Sequence, residues 1–187
     1  MSLPWPNSPL SIALKKLRKM VASSAAFLTR SGETTYSLDM SKRRVWTEYI
    51  PNRDELIRET GNEFAINPTM PWAAIWPMNT GSQAVACGAQ VQTLPNGLIH
   101  LYVACQPLAT LTDWNDRREE AVGFLDQWIC DVMNLSGADD STSDDGMGHL
   151  TIVRDESVTI DHVPFKDRQT IGDFYYQSVS LKYGDEA

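Results

Sequence analysis

Two strand-like runs, Gln83 to Gln92 and Leu98 to Cys105, flank the segment Thr93-Leu94-Pro95-Asn96-Gly97. Asn-Gly between apolar runs is among the strongest local signals for a β-hairpin, because both residues accept the positive φ that a tight turn needs. The spacing therefore predicts a hairpin turning at 93–97. In its second run Leu98, His100, Tyr102 and Ala104 share one face, and Ile99, Leu101, Val103 and Cys105 share the other. A strand apolar on nearly both faces belongs at the centre of a sheet.

The remaining elements are read from periodicity. Ser8-Pro9 reads as an N-cap followed by proline, and Leu10, Leu14, Leu17, Val21 and Leu28 then fall on one face, with Ala13 and Ala25 between them and Gly32 as the stop. The basic cluster Lys15, Lys16, Arg18 and Lys19 lies largely off that face and reads as solvated. Thr34 to Ile50 reads as strand, turn, strand around Ser41-Lys42-Arg43-Arg44. Pro51 to Pro77 is broken by five prolines and glycines, which predicts a long irregular insertion with a short helix at Asp54 to Glu59.

Thr112 or Asp113 caps a second main helix running to about Asn134, with Trp114, Ala121, Leu125, Trp128, Ile129 and Val132 as its apolar stripe. Gly137 to Gly148 is acidic and low in apolar content, an exposed loop. Strands are expected at His149 to Arg154, Ser157 to His162 and Phe174 to Tyr183. In the last of these Tyr175, Val179, Leu181 and Tyr183 alternate with Tyr176, Ser178, Ser180 and Lys182, and Gln177 is the polar exception. The expectation is one α+β domain over 1–187, an antiparallel or mixed sheet with two main helices on one face.

At 187 residues and 42% hydrophobic content the chain can bury a core without metal or disulfides. Cys87, Cys105 and Cys130 are odd in number and lack ligand spacing, so neither a zinc site nor a disulfide framework is expected, and reduced thiols point to the cytoplasm. No apolar run is long enough for a membrane helix, and Met1 to Trp5 lacks the layout of a secretory signal. A net charge of −8 disfavours sequence-specific nucleic-acid binding. The charge is split: 1–58 holds ten basic groups against five acidic, and the rest six against nineteen. Such a split fits either two solvated faces or head-to-tail packing of identical subunits, in which Lys42, Arg43 and Arg44 meet an acidic neighbour.

Catalytic patterns are weak. Asp161 and His162 are neighbours in a strand and point to opposite faces, so they form no dyad, and His100 reads as a hydrogen-bonded core histidine. The three thiols sit in apolar contexts where they behave as small hydrophobes. Walker, dinucleotide, nucleophile-elbow and zinc-protease patterns are absent from the sequence, and no cofactor is expected. Asp139, Asp140, Asp144 and Asp145 miss the register of a calcium loop, and Glu119-Glu120 and Asp155-Glu156 read as solubilising surface pairs. Trp72 and Trp76, between Pro71 and Pro77, lie off any regular core face. They are either interface anchors or part of a lid folded back on the sheet.

Taken together, the opening helix Leu10 to Leu28, the hairpin with Asn96-Gly97, the helix Asp113 to Asn134, the paired strands after the acidic loop and the closing strand Phe174 to Gly184 resemble the tail-terminator proteins of long-tailed bacteriophages and prophages. The likeness spans nearly the whole chain, which exceeds the group's usual length in Pro51 to Pro77. What it implies is a structural protein without catalytic residues, whose copies form a ring, typically hexameric, that caps the tail tube and meets the head connector. The family's acidic lumen makes Asp139 to Asp145 a candidate lumen edge. Other readings remain open: a different neck or minor tail component, an adaptor or immunity-like binding module using Trp72 and Trp76, or an enzyme built on His100, His162 and Asp161.

Overall fold

Pro9 opens α1 (Pro9–Ser23), where its missing N–H costs nothing in the first turn. The expected single helix breaks at Ser24. That residue is extended, and its hydroxyl accepts the Phe27 N–H to cap a second helix, α2 (Ala25–Ser31). Gly32 ends α2 at φ 73, the left-handed conformation foreseen for it. The computed structural model describes residues 9–38, 41, 44–47, 71–87, 90–136, 150–154, 161–167 and 172–185.

The strand expected at Tyr36 and Leu38 does not form. Leu38, Ser41 and Arg44 are helical, the Ser41 N–H bonding Ser37 O at 3.0 Å, and among the described residues of 34–50 the strand is β1 (Val45–Thr47). The hairpin is real but longer and displaced. β2 (Trp72–Cys87) and β3 (Gln90–Cys105) pair along their whole length, so the connection falls at 88–89 and not at Asn96-Gly97. Those two residues lie inside β3, opposite Gly81 and Thr80 on one side and Gly184 and Tyr183 on the other. Trp72 to Pro77, expected as irregular chain, is the first part of β2, and a bulge interrupts the register between Pro77 and Asn79.

Asp113 caps α3 (Trp114–Ser136) by accepting the N–H groups of Asn115 and Asp116. β4 (Leu150–Arg154), β5 (Asp161–Asp167) and β6 (Gly172–Asp185) complete the described sheet; of the strand expected at Ser157 to His162, Asp161 and His162 belong to β5 and 157–160 lie outside the described residues. The order is β1-β2-β3-β6-β4, with β5 also on β6. β1 is parallel to β2 and every other pairing is antiparallel, which makes the fold α+β with a mixed sheet. β4 and β5 occupy successive stretches of one β6 edge, Leu181–Asp185 and Gly172–Ser178. β3 is central, as its two apolar faces require.

Cross-strand register gathers one face into the core. Val45, Ala73, Val103 and Gln177 form one row, and Ile75, Leu101 and Val179 the next. With Ile99, Cys105, Tyr175, Leu181 and Tyr183 this face packs on Ala13, Leu17, Val21, Phe27, Ala121, Leu125, Trp128, Ile129 and Val132 of the three helices. Trp128 anchors the helical layer: its ring lies 5.0 Å from that of Phe27, and its Nε1–H donates to Val21 O at 3.0 Å. Trp114, expected in the same stripe, is 45% exposed, because it begins the helix beyond the edge of the sheet contact. The segments 51–70 and 137–149, which include the short helix expected at 54–59 and the acidic loop, lie outside the described residues.

Candidate interaction face

Among the described residues, no helix packs on the other side of the sheet. Alternation along each strand puts Trp46, Trp72, Ala74, Trp76, His100, Tyr102, Ala104, Ser178, Ser180 and Lys182 on this side. Trp46 and Trp72 pack against each other there, with ring centroids 5.8 Å apart and planes at 56°; Trp46, Ala74, Ala104 and Ser180 are buried, and Trp72, His100, Tyr102 and Ser178 half-buried. Trp76, opposite His100 in register, is 41% exposed, and Met78 at the bulge is 52% exposed. The two anchors named from sequence thus separate: Trp72 serves packing and Trp76 faces outward.

His100 is not the core histidine expected. It is half-buried on the face away from the helices, with Nδ1 at 3.4 Å from the Tyr102 hydroxyl and ring centroids 6.0 Å apart. No base-orienting carboxylate joins this pair among the described contacts. Asp161 and His162 occupy adjacent β5 positions opposite Ser178 and Gln177, as strand geometry demands. Arg44 is 1% exposed and belongs to the interior, so it presents no charge to a neighbour. Lys42, Arg43, Asp139, Asp140, Asp144 and Asp145 lie outside the described residues.

On the helical side, polar groups hold the structure in ways that the sequence did not announce. Glu120, read as a solubilising surface acid, is half-buried and grips Arg30 with both carboxylate oxygens. Arg30 also donates to Gln106 O at 2.8 Å and stands 4.8 Å from the Phe124 ring centroid, while Glu120 accepts the Leu108 N–H. Arg18, placed in the solvated cluster, donates to Thr47 at 3.2 Å, and burial lowers its pKa. Burial pushes the Cys105 thiol up to about 12, which holds it in the unreactive protonated form, whereas Cys130 is exposed. Burial likewise raises the Tyr183 phenol.

Among the described residues no three His, Cys, Asp or Glu side chains gather as metal ligands, and no helix is long and apolar enough to cross a membrane. The face away from the helices offers, among the described residues, an exposed indole, a thioether, a half-buried imidazole beside a phenol, and an ammonium. No family model matches the chain, and no curated protein sequence matches it.

Proposed function

We propose that the chain is a structural protein of a tailed-bacteriophage or prophage virion, of the tail-terminator kind, whose copies form a ring that caps the tail tube and joins it to the head. The observation that carries this reading is a sheet that, among the described residues, carries helices on one face only. A sheet covered by helices on one face and presenting Trp76 and Met78 on the other has a ready surface for a neighbouring subunit. The division of charge between 1–58 and the rest supports head-to-tail contact in the same sense. Its partners in this reading are copies of itself, the tail-tube protein and the head connector, met in the bacterial cytoplasm during assembly and then in the virion tail. The reading assigns no catalytic residue and no cofactor.

Light-scattering mass and negative-stain imaging, alone and with tail-tube protein, test it. A closed ring of about six copies, free or on tube ends, is the expected result. A chain that forms no ring in either condition overturns it, and a ring-free chain that binds a connector instead moves it to another neck or minor tail position.

A second reading rests on Trp76 alone, an adaptor or immunity-like module that docks a foreign protein on the open face. Trp76→Ala would then abolish that complex with only a modest change in thermal stability, since Trp76 is 41% exposed. Trp72→Ala is no equivalent test, because it removes the partner of the Trp46 ring.

A further inference from the structure

Among the described residues, the outer edge of β2 is covered over three residues only. β1 pairs with Ala73–Ile75, and among the described residues no strand lies beside the remainder, Trp76–Cys87. On the other side β3 pairs with β6 only from Asn96 to Cys105. The end of the hairpin, 82–87 against 90–95, is therefore a two-stranded ribbon among the described residues. Such a ribbon is at best marginally stable in water by itself.

Folded proteins guard free strand edges with charges, prolines and bulges. Pro77 and the bulge after it guard the base of this edge. The rest of the edge is unguarded: Asn79 to Cys87 contains no proline, and no Asp, Glu, Lys or Arg occurs anywhere from 64 to 112. The opposite edge of the sheet is different, for β4 ends on Arg154 and β5 carries Asp161, Lys166 and Asp167.

We infer that the Asn79–Cys87 edge is a strand-pairing site for a second copy of this chain, β2 running antiparallel to its counterpart across a two-fold axis near Gln83. The second copy is the occupant because the partner edge must also be long and uncharged, and this edge is the one of that kind in the described sheet. An antiparallel pair of identical strands is self-complementary, which is what a two-fold contact demands. Two marginal ribbons become one four-stranded sheet. The arrangement also sets exposed Trp76 and Met78 next to the far end of the neighbour's strand. It goes beyond the ring reading, since a two-fold contact joins copies in pairs whereas a ring closes through unlike surfaces.

Light-scattering mass of the full chain over a hundredfold concentration range tests the site. The expected result is twice the 20.9 kDa of one chain, or an even multiple of it. Ala84→Lys with Val85→Lys halves that mass and leaves the circular-dichroism spectrum native. A single-chain mass at every concentration, as when 51–70 of the same chain covers the edge, overturns the inference. So does a folded double variant of unchanged mass. Should the lysine variant misfold, Gln83→Cys and Ala84→Cys, each with Cys87→Ser and Cys130→Ser, replace it. Oxidation yields a covalent dimer in at least one, and failure in both overturns the site. A six-copy ring unaffected by the lysines ends this inference and leaves the ring standing, and pairs without rings do the reverse.

Discussion

Arg30 ties together three parts of the helical layer: α2, on which it sits, α3 through Glu120 and Phe124, and the chain leaving β3 through Gln106 O. Its side chain is 9% exposed and that of Glu120 21%. Arg30→Ala leaves a half-buried carboxylate with its main partner gone, and the expected cost is about 2–3 kcal/mol, read as a lowered unfolding midpoint. Arg30→Lys recovers only part of it, since an ammonium cannot match both oxygens and the carbonyl at once. The thiols make a second residue-scale prediction. A maleimide at neutral pH labels Cys130 and spares Cys105 until the protein unfolds, as peptide mapping would reveal; labelling of native Cys105 contradicts its burial. Cys105 keeps its proton when folded up to about pH 12, while the unfolded thiol ionises near its ordinary value of 9.0. The folded state therefore binds more protons between those values. Its contribution is fully present below pH 9 and declines above it, as denaturant titrations at rising pH would register.

At the scale of elements, the helix ends hold the clearest expectations. The start of α2 is capped twice over: Ser24 Oγ accepts the Phe27 N–H, and Asp131 of α3 accepts the Ala26 N–H at 2.8 Å. Ser24→Ala removes the first and costs about 1 kcal/mol. Two glycines predict opposite signs for the same substitution. A Cβ at either Gly32 or Gly123 meets nothing within 4 Å, so backbone conformation alone decides. Gly32, at φ 73, strains any L side chain, and Gly32→Ala destabilises by about 1 kcal/mol. Gly123 is inside α3, and Gly123→Ala stabilises by about 0.5–1 kcal/mol. Equal shifts in the two unfolding midpoints would contradict this account.

At the scale of the whole molecule, two kinds of contact are separable by salt. Head-to-tail contacts between the basic and acidic parts weaken as ionic strength rises, because exposed charges are screened beyond about 10 Å at 0.1 M. Strand pairing along the uncharged β2 edge does not. Mass measured from about 0.05 to 0.5 M salt should therefore fall only in the ring-forming component, and a pair that dissociates with salt speaks against the β2 edge.

What the residues determined by themselves are features decided within a few positions of the chain. Alternation in β6 identified the buried row Tyr175, Val179, Leu181 and Tyr183 and even its polar member Gln177. The Asp113 cap, the Gly32 stop and the Trp128 stripe were legible for the same reason, as local hydrogen bonding and periodicity carry them. What tertiary structure decided are the choices that local preference left open or got wrong. Asn96-Gly97 stayed extended because β2 and β6 supply partners on both sides, which a turn there would have forfeited. Leu38, Ser41 and Arg44 became helical where a strand and then a turn were expected, Trp72 and Trp76 parted company on one strand, and Glu120 found Arg30 across 90 residues. None of these has a local signal, because the free energy that settles each comes from groups brought together only when the sheet and its helical layer meet.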